Sequence, residues 1–112
     1  MTSVVIPDSV TTIGGSAFYN NLLASVVIPD GVITIGDSAF NENLLASVVI
    51  GGNVTTIGGN AFFDNKLTSV VIPNNVTTIG DDSFCWEVLW GKHVAERYRD
   101  SRRAAFIRLG SD

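Results

Sequence analysis

The residues best suited to catalysis or metal binding are few in this sequence. His93 is its single histidine and Cys85 its single cysteine. A nucleophilic or acid–base site needs several such groups converging on one substrate, and a cysteine-based metal cluster needs several thiolates. We therefore predict no enzyme activity, no cofactor and no metal. We expect His93 on the solvated surface and Cys85 as a free or half-buried thiol, with a disulfide to another chain as the alternative.

The carboxylates and glycines also lack the spacing of a site. Asp8 and Asp30 each follow a proline, where aspartate commonly bonds backbone groups of its own turn. The G-G-x-G-x-D repeat of calcium-binding β-rolls is absent from the sequence. Gly14-Gly15 and Gly58-Gly59 are isolated pairs, so neither predicts a phosphate-binding loop. These turns are predicted to be structural.

Composition and charge exclude further classes of protein. Hydrophobic residues make up 46% of the 112 residues and charged residues 16%, which predicts a folded chain rather than a disordered one. The net charge of −4 argues against nucleic-acid binding, which needs a basic surface. No apolar run approaches the roughly 18 residues of a membrane span. No basic segment followed by an apolar one indicates a signal peptide.

The elements that must position these residues are repeats of 22 residues. The copies begin at Val4, Val26, Val48 and Val70, and we number the places within each copy from one to 22. Places one to three are Val-Val-Ile in every copy, and place eleven is glycine. Places ten, fifteen and twenty are isoleucine, phenylalanine and leucine. This pattern predicts similar coils that must stack, because one coil alone cannot bury its apolar face.

Strand alternation predicts which side chains face the core. In the segment from Leu23 to Ile28, which leads into the second copy, Leu23, Val26 and Ile28 would face inward and Val27 outward. The proline that follows would end the strand. Gly36 is expected to adopt a positive φ or to let a neighbouring backbone approach closely. The return path would bury four further residues, which are Val32, Ile35, Ala39 and Phe40.

The repeat resembles a known family. Its pattern I-P-x-x-V-x-x-I-G-x-x-A-F-x-x-N-x-L-x-S-V over residues 1–84 is similar to the BspA-like, or treponemal-type, leucine-rich repeat of bacterial surface proteins. The resemblance implies a leucine-rich-repeat solenoid with a parallel β-sheet on the concave side and irregular or 3₁₀ structure on the convex side. It also implies a non-catalytic module of a surface or secreted protein that binds other proteins, often as an adhesin. The alternative is an engineered or excised repeat scaffold without a ligand of its own.

Two regions follow from the repeat. Residues 1–91 are predicted to form four leucine-rich repeats, the first strand being incomplete at the amino terminus, and residues 92–112 a carboxy-terminal capping segment. The chain up to Phe84 carries seven acidic residues and one lysine, whereas the tail carries six basic and four acidic residues. We expect a short helix over residues 92–100 and a closing strand over 104–109, because a terminal coil needs a different outer face.

Polar residues also recur at fixed places. The asparagines at place eighteen are predicted to bond backbone groups of the return path, with ligand binding as the alternative. The threonines at places eight and nine are predicted to stabilise the stack of coils, with ice binding as the alternative. Asn53 and Asn75 lie in glycosylation sequons but are predicted to be turn residues. The asparagine ladder consists of Asn21, Asn43 and Asn65.

The outward residues of the Val-Val-Ile strands are the candidate binding face. They are Ser25, Val27, Ser47, Val49, Ser69 and Val71. An uncharged serine–valine strip favours contact with another protein. Four strands at about 4.8 Å and four residues at about 3.3 Å cover on the order of 250 Å², below the roughly 800 Å² per partner of a standard interface. We therefore expect the edges or the tail to contribute, or the parent protein to be longer.

The first coil is the candidate edge for self-association. Val5, Val10, Ile13 and Phe18 would have no coil stacked above them, and the strand at residues 3–6 would leave backbone groups unpaired. The chain starts within a repeat, so we expect an excised fragment, an engineered chain or a recent internal start. A homodimer or larger homo-oligomer through this coil is predicted.

Overall fold

The computed structural model describes residues 1–67 and 70–84, together with the backbone of residues 107–109. These residues contain eight short strands and no helix. In chain order the strands are β1 (Thr12–Ile13), β2 (Ser25–Ile28), β3 (Thr34–Ile35), β4 (Ser47–Ile50), β5 (Thr56–Ile57), β6 (Val70–Ile72), β7 (Thr78–Ile79) and β8 (Ile107–Leu109). Equivalent strands of successive coils lie side by side, so the chain is a solenoid of stacked coils.

A four-stranded parallel sheet runs through all four coils at the Thr-Ile positions. Its strand order is β1-β3-β5-β7. Thr12 pairs with Thr34 and Ile13 with Ile35, and the same 22-residue offset continues to β7. The isoleucines are buried and the threonines are exposed or half-buried, because side chains alternate along a strand. The repeat pattern predicts strands only at the Val-Val-Ile positions, so it misses this continuous sheet at the Thr-Ile positions.

The Val-Val-Ile positions form two separate pairs of parallel strands. β2 pairs with β4 at the same 22-residue offset, with Val26 opposite Val48. β6 pairs with β8, and there Val70 lies opposite Ile107. The single concave sheet that was expected is therefore divided among the described strands. Thr68 and Ser69, directly before β6, lie outside the described residues.

The carboxy-terminal segment is described only at one strand. β8 confirms that a closing strand forms within residues 104–109, because it pairs at 107–109 with the last Val-Val-Ile strand. The predicted helix over residues 92–100 lies outside the described residues, as do Cys85 and His93. In the part of the chain that the structure describes, no helix is long and apolar enough to cross a membrane.

The first Val-Val-Ile segment does not form the strand expected at residues 3–6. Val4 and Ile6 are half-buried against the core, but Val5 is 89% exposed. The Leu22 N–H donates to the Met1 carbonyl at 2.9 Å, as the equivalent N–H groups do in later coils. A segment at the end of the stack has neighbours on one side only, so fewer contacts hold it in strand geometry. The prediction of a first strand here is wrong.

A column of phenylalanines runs through the core. The four rings stack with centroids 5.1, 5.3 and 5.3 Å apart and interplanar angles of 12°, 4° and 11°, in the order Phe18, Phe40, Phe62 and Phe84. Leu23 and every residue of the second copy that was predicted to face inward are buried, and Val27 is 60% exposed. The predicted inward and outward faces are thus confirmed from Leu23 to Phe40.

The return path of each coil consists of turns whose backbone groups bond to the neighbouring coil. In the first coil the N–H groups of Ser16, Phe18 and Asn20 donate to carbonyls of the second coil at 2.9, 2.8 and 2.9 Å. Ser16 and Asn20 have φ angles of 59° and 57°, and Ser38 and Glu42 repeat this conformation in the second coil. The return path is therefore irregular, as expected, and it contains no 3₁₀ helix in the described coils.

Gly36 is required because another backbone passes close to it. No described glycine has a positive φ. A Cβ atom at Gly36 would lie 2.6 Å from the Gly15 nitrogen and 2.9 Å from the Ile13 carbonyl oxygen. Gly14, at the same place in the first coil, has nothing within 4 Å. Of the two roles expected for Gly36, close approach is confirmed, and the positive φ angles fall on serine, asparagine, aspartate and glutamate instead.

Candidate binding surface

The outward valines of the Val-Val-Ile strands form an exposed row. Val27 is 60% exposed, Val49 59% and Val71 51%. Val27 lies directly beside Val49 in the register of β2 and β4. Ser25 and Ser47 are exposed on the same strands, whereas Ser69 lies outside the described residues. The strip therefore presents aliphatic side chains and hydroxyl groups without a charge.

The apolar surface continues beyond the strip, towards the amino ends of β2 and β4. Leu22 and Leu44 are 56% and 44% exposed. Ala24 and Ala46 are exposed between these leucines and the strands. We call the combined surface the apolar band, which consists of Leu22, Ala24, Ser25, Val27, Leu44, Ala46, Ser47, Val49 and Val71. Six residues span at most about 20 Å and three neighbouring strand positions span about 14 Å, so the band covers at most on the order of 300 Å².

The repeat pattern alone does not identify Leu22 and Leu44 as surface residues. Each stands next to an inward leucine, and a pair of leucines is typical of a core. The signal that could have found them is Lys66, which occupies the same place in the third copy. Because a lysine is almost never fully buried, a place that accepts lysine faces water.

Two shallow depressions lie at the two ends of the β2–β4 pair. The first has a volume of about 500 Å³. Its lining includes two valines of the band, Val27 and Val49, and two carboxylates, Asp8 and Asp30. The second has a volume of about 280 Å³. Its lining includes two leucines of the band, Leu22 and Leu44, together with the carboxylates of Glu42 and Asp64 and the amine of Lys66. Both ends of the band therefore combine exposed aliphatic side chains with acidic ones.

Two of the four carboxylates at these ends, Asp30 and Glu42, accept hydrogen bonds. The Asp30 Oδ1 atom accepts the Gly52 N–H at 3.1 Å, so Asp30 bonds the next coil and not its own turn as expected. The Tyr19 hydroxyl donates to Glu42 Oε2 at 3.0 Å. That hydrogen bond, together with the negative charge of Glu42, raises the pKa of the Tyr19 hydroxyl above its usual value.

The asparagine ladder is structural. The Asn43 Nδ2 group donates to the carbonyls of Phe18 and Phe40 at 2.8 and 3.1 Å, and Asn43 Oδ1 accepts the Leu23 N–H at 3.0 Å. Asn65 repeats this arrangement one coil later. Asn43 thus bonds three backbone groups and Asn65 four, in each case from two coils, which confirms the predicted structural role of these two asparagines.

Other polar side chains also join neighbouring coils. The Nδ2 groups of Asn53 and Asn75 donate to carbonyls of the preceding coil at 2.9 and 2.8 Å. The hydroxyl groups of Thr55 and Thr77 donate to carbonyls of the preceding coil at 3.3 Å. These bonds confirm the predicted turn role of the two asparagines and the predicted stacking role of the two threonines.

The first coil is less buried than those that follow. Phe18 and Val10 are half-buried, and Val5 is almost entirely in water. Ile13, however, is only 3% exposed. Ile13 was one of the four residues expected at the self-association edge. Because other residues of the chain cover it, Ile13 offers no surface to a second copy.

The described acidic side chains are not clustered as metal ligands. Among the described residues no group of three or more histidine, cysteine, aspartate or glutamate residues could hold a metal ion. The repeated polar groups lie in the bonds between coils described above, and the exposed surface of the band is aliphatic.

The stacked 22-residue coils with parallel strands define a repeat solenoid, and comparison with known families specifies its type. Residues 1–89 match the family described as a BspA type Leucine rich repeat region (6 copies). This span is well over half of the chain, so the chain belongs to the BspA-type leucine-rich repeat family, whose repeats form protein-interaction modules. Comparison with curated proteins finds no match, and comparison with solved structures finds none.

Proposed function

We propose that the chain is a non-catalytic protein-interaction module of a bacterial surface or secreted protein, of the adhesin type, and that its partner contacts the apolar band. The observation that carries this proposal is the exposure of Val27, Val49 and Val71, which exceeds 50% for each. The inward residues of the same strands are buried, apart from the half-buried Val48, so the core does not depend on these three valines. A row of exposed aliphatic side chains in an ordered sheet is typical of a contact surface.

The proposal is tested with single substitutions to lysine on the full chain. Val49→Lys changes the band, whereas Ile33→Lys changes an exposed aliphatic residue that lines neither depression. Both variants and the original chain are measured by surface plasmon resonance against a panel of purified extracellular proteins. We expect a protein that binds the original chain and Ile33→Lys but not Val49→Lys. Binding that both substitutions leave unchanged would contradict the proposal, and binding to no member of the panel would favour a scaffold without a ligand.

We also propose that the 112-residue chain self-associates through its first coil. Phe18 stacks on Phe40 at 5.1 Å but is only half-buried, whereas Phe40, Phe62 and Phe84 are fully buried. A second copy placed over this coil would cover Phe18, Val10 and Val5. Light scattering at tens of micromolar should show a dimer, and Val5→Lys should weaken it. A monomer at that concentration would refute self-association, but it would not contradict the proposal that a partner contacts the apolar band.

A further inference from the structure

We infer that the partner of the apolar band is a short, extended protein segment with aliphatic side chains in its centre and lysine or arginine at both ends. This inference rests on the proposed function, since it names the chemistry of the partner for the same surface. It is carried by the size of the band and by the charges at its two ends.

The size of the band suits a segment and not a folded domain. Its area, at most on the order of 300 Å², is less than half of the roughly 800 Å² that each partner contributes to a standard interface. The length from Leu22 to Val27 is at most that of six extended residues. A segment of up to that length would place its aliphatic side chains against the leucines that precede β2 and β4 and against the valines of these two strands.

The charges at the two ends favour cations. Asp8 and Asp30 are exposed where the strands end, and Glu42 and Asp64 are exposed near the leucines at the opposite end. Lys66 lines the same depression as Glu42 and Asp64, so that end keeps an excess of one negative charge. Lys66 is the one basic side chain up to Phe84, against seven acidic residues. A segment with basic residues about 20 Å apart would therefore meet carboxylates at both ends of the band. The same charge disfavours an anionic membrane or a nucleic acid, which need a basic surface.

Asp30 offers a sharp test because a substitution can remove its negative charge while keeping its hydrogen bond to the next coil. Its Oδ1 atom accepts the Gly52 N–H, and the amide oxygen of Asp30→Asn can accept the same bond. Asp37 provides the matched control: its Oδ1 atom accepts the Gly59 N–H at 2.9 Å, but it lines neither depression. The two variants lose the same charge and keep the same kind of bond.

The probe is a peptide of valines flanked by lysines, and its binding to the full chain is measured by titration calorimetry. A glutamate-flanked valine peptide and a lysine-flanked serine peptide serve as comparisons. We expect the lysine–valine peptide to bind best. Asp30→Asn should weaken it about two- to five-fold at low salt and less at high salt, because exposed charge pairs are weak and screened. Asp37→Asn should leave binding unchanged.

The outcomes separate the two proposals. Equal binding of the glutamate-flanked peptide, or equal effects of Asp30→Asn and Asp37→Asn, would overturn the basic partner while leaving the band as a protein contact. Stronger binding to vesicles of anionic lipid than to the peptide would also overturn it. A lysine–valine peptide that binds Val49→Lys as well as the original chain would show that the band is not the binding surface.

Discussion

At the scale of single residues, the coils are joined by side chains that each touch the next copy. The phenylalanines stack in one column, and the asparagines of the second and third coils each bond backbone groups of two coils. The aromatic contacts bury apolar surface, and the amide groups satisfy carbonyls that would otherwise be buried without a partner. Both contributions depend on a neighbouring coil, so residues of the middle coils should matter most for stability.

Replacement of Phe40 by alanine tests the aromatic column. Phe40 is fully buried between Phe18 and Phe62, so Phe40→Ala should lower the free energy of unfolding by about 3–5 kcal/mol through the cavity it leaves. Phe63→Ala is the control, because Phe63 is only half-buried and should cost less. Denaturant titration measures both. A loss below about 1 kcal/mol for Phe40→Ala would mean that the inward face is wrongly assigned.

Replacement of Asn43 by alanine tests the asparagine ladder. It leaves the Leu23 N–H and the carbonyls of Phe18 and Phe40 without this partner, at about 1–3 kcal/mol for each buried group left unpaired. Asn21 donates only within its own coil, to Phe18 and Tyr19, so Asn21→Ala should cost less. Thermal melts of the two variants measure the difference, and equal losses would argue against bonding between coils as the source of stability.

At the scale of elements, the repeat predicts which residues face inward but not how the strands join. Val26 and Val27 follow from alternation, since a strand has only two faces. The positive φ at Ser38 and the tight approach at Gly36 depend on where a neighbouring coil passes, which no single copy shows. The exposure of Leu44 follows from its place before β4, between bends at Asn43 and Ala46, where strand alternation does not apply.

Alanine at place eleven tests the close approach between elements. Gly36→Ala should lower the free energy of unfolding by about 1–3 kcal/mol, because its Cβ would lie within 3 Å of backbone atoms of Gly15 and Ile13. Gly14→Ala is the matched control at the same place, where the structure leaves space for a Cβ. Chemical denaturation should leave that control at or above the stability of the original chain. Similar losses in both variants would indicate a local backbone requirement rather than crowding between coils.

At the scale of the whole molecule, the two ends of the stack differ. The first coil leaves Phe18 half-buried, and residues 3–6 do not pair as a strand. At the other end β8 covers β6, in line with the proposed capping role of residues 92–112. An uncovered edge strand invites pairing with other chains, so the paired end should resist aggregation better.

Truncation tests the carboxy-terminal end. Removal of residues 85–112 deletes β8 and should expose the edge of β6, which lowers the melting temperature and promotes aggregation. Removal of residues 110–112 keeps β8 and serves as the control. Calorimetry and size-exclusion chromatography follow both. An unchanged melting temperature and a monomeric peak for the longer deletion would make the tail an appendage.

The central claim is that the apolar band contacts the partner, and site-specific photocrosslinking tests it most directly. A photoreactive residue is placed at Val49, which is 59% exposed in the band, or at Ile33, which is 41% exposed outside it. Each chain is irradiated with the extracellular protein that binds the original chain most tightly. We predict a crosslinked product from Val49 and none from Ile33. Crosslinking from Ile33 alone, or equally from both positions, would contradict the assignment of the band as the binding surface.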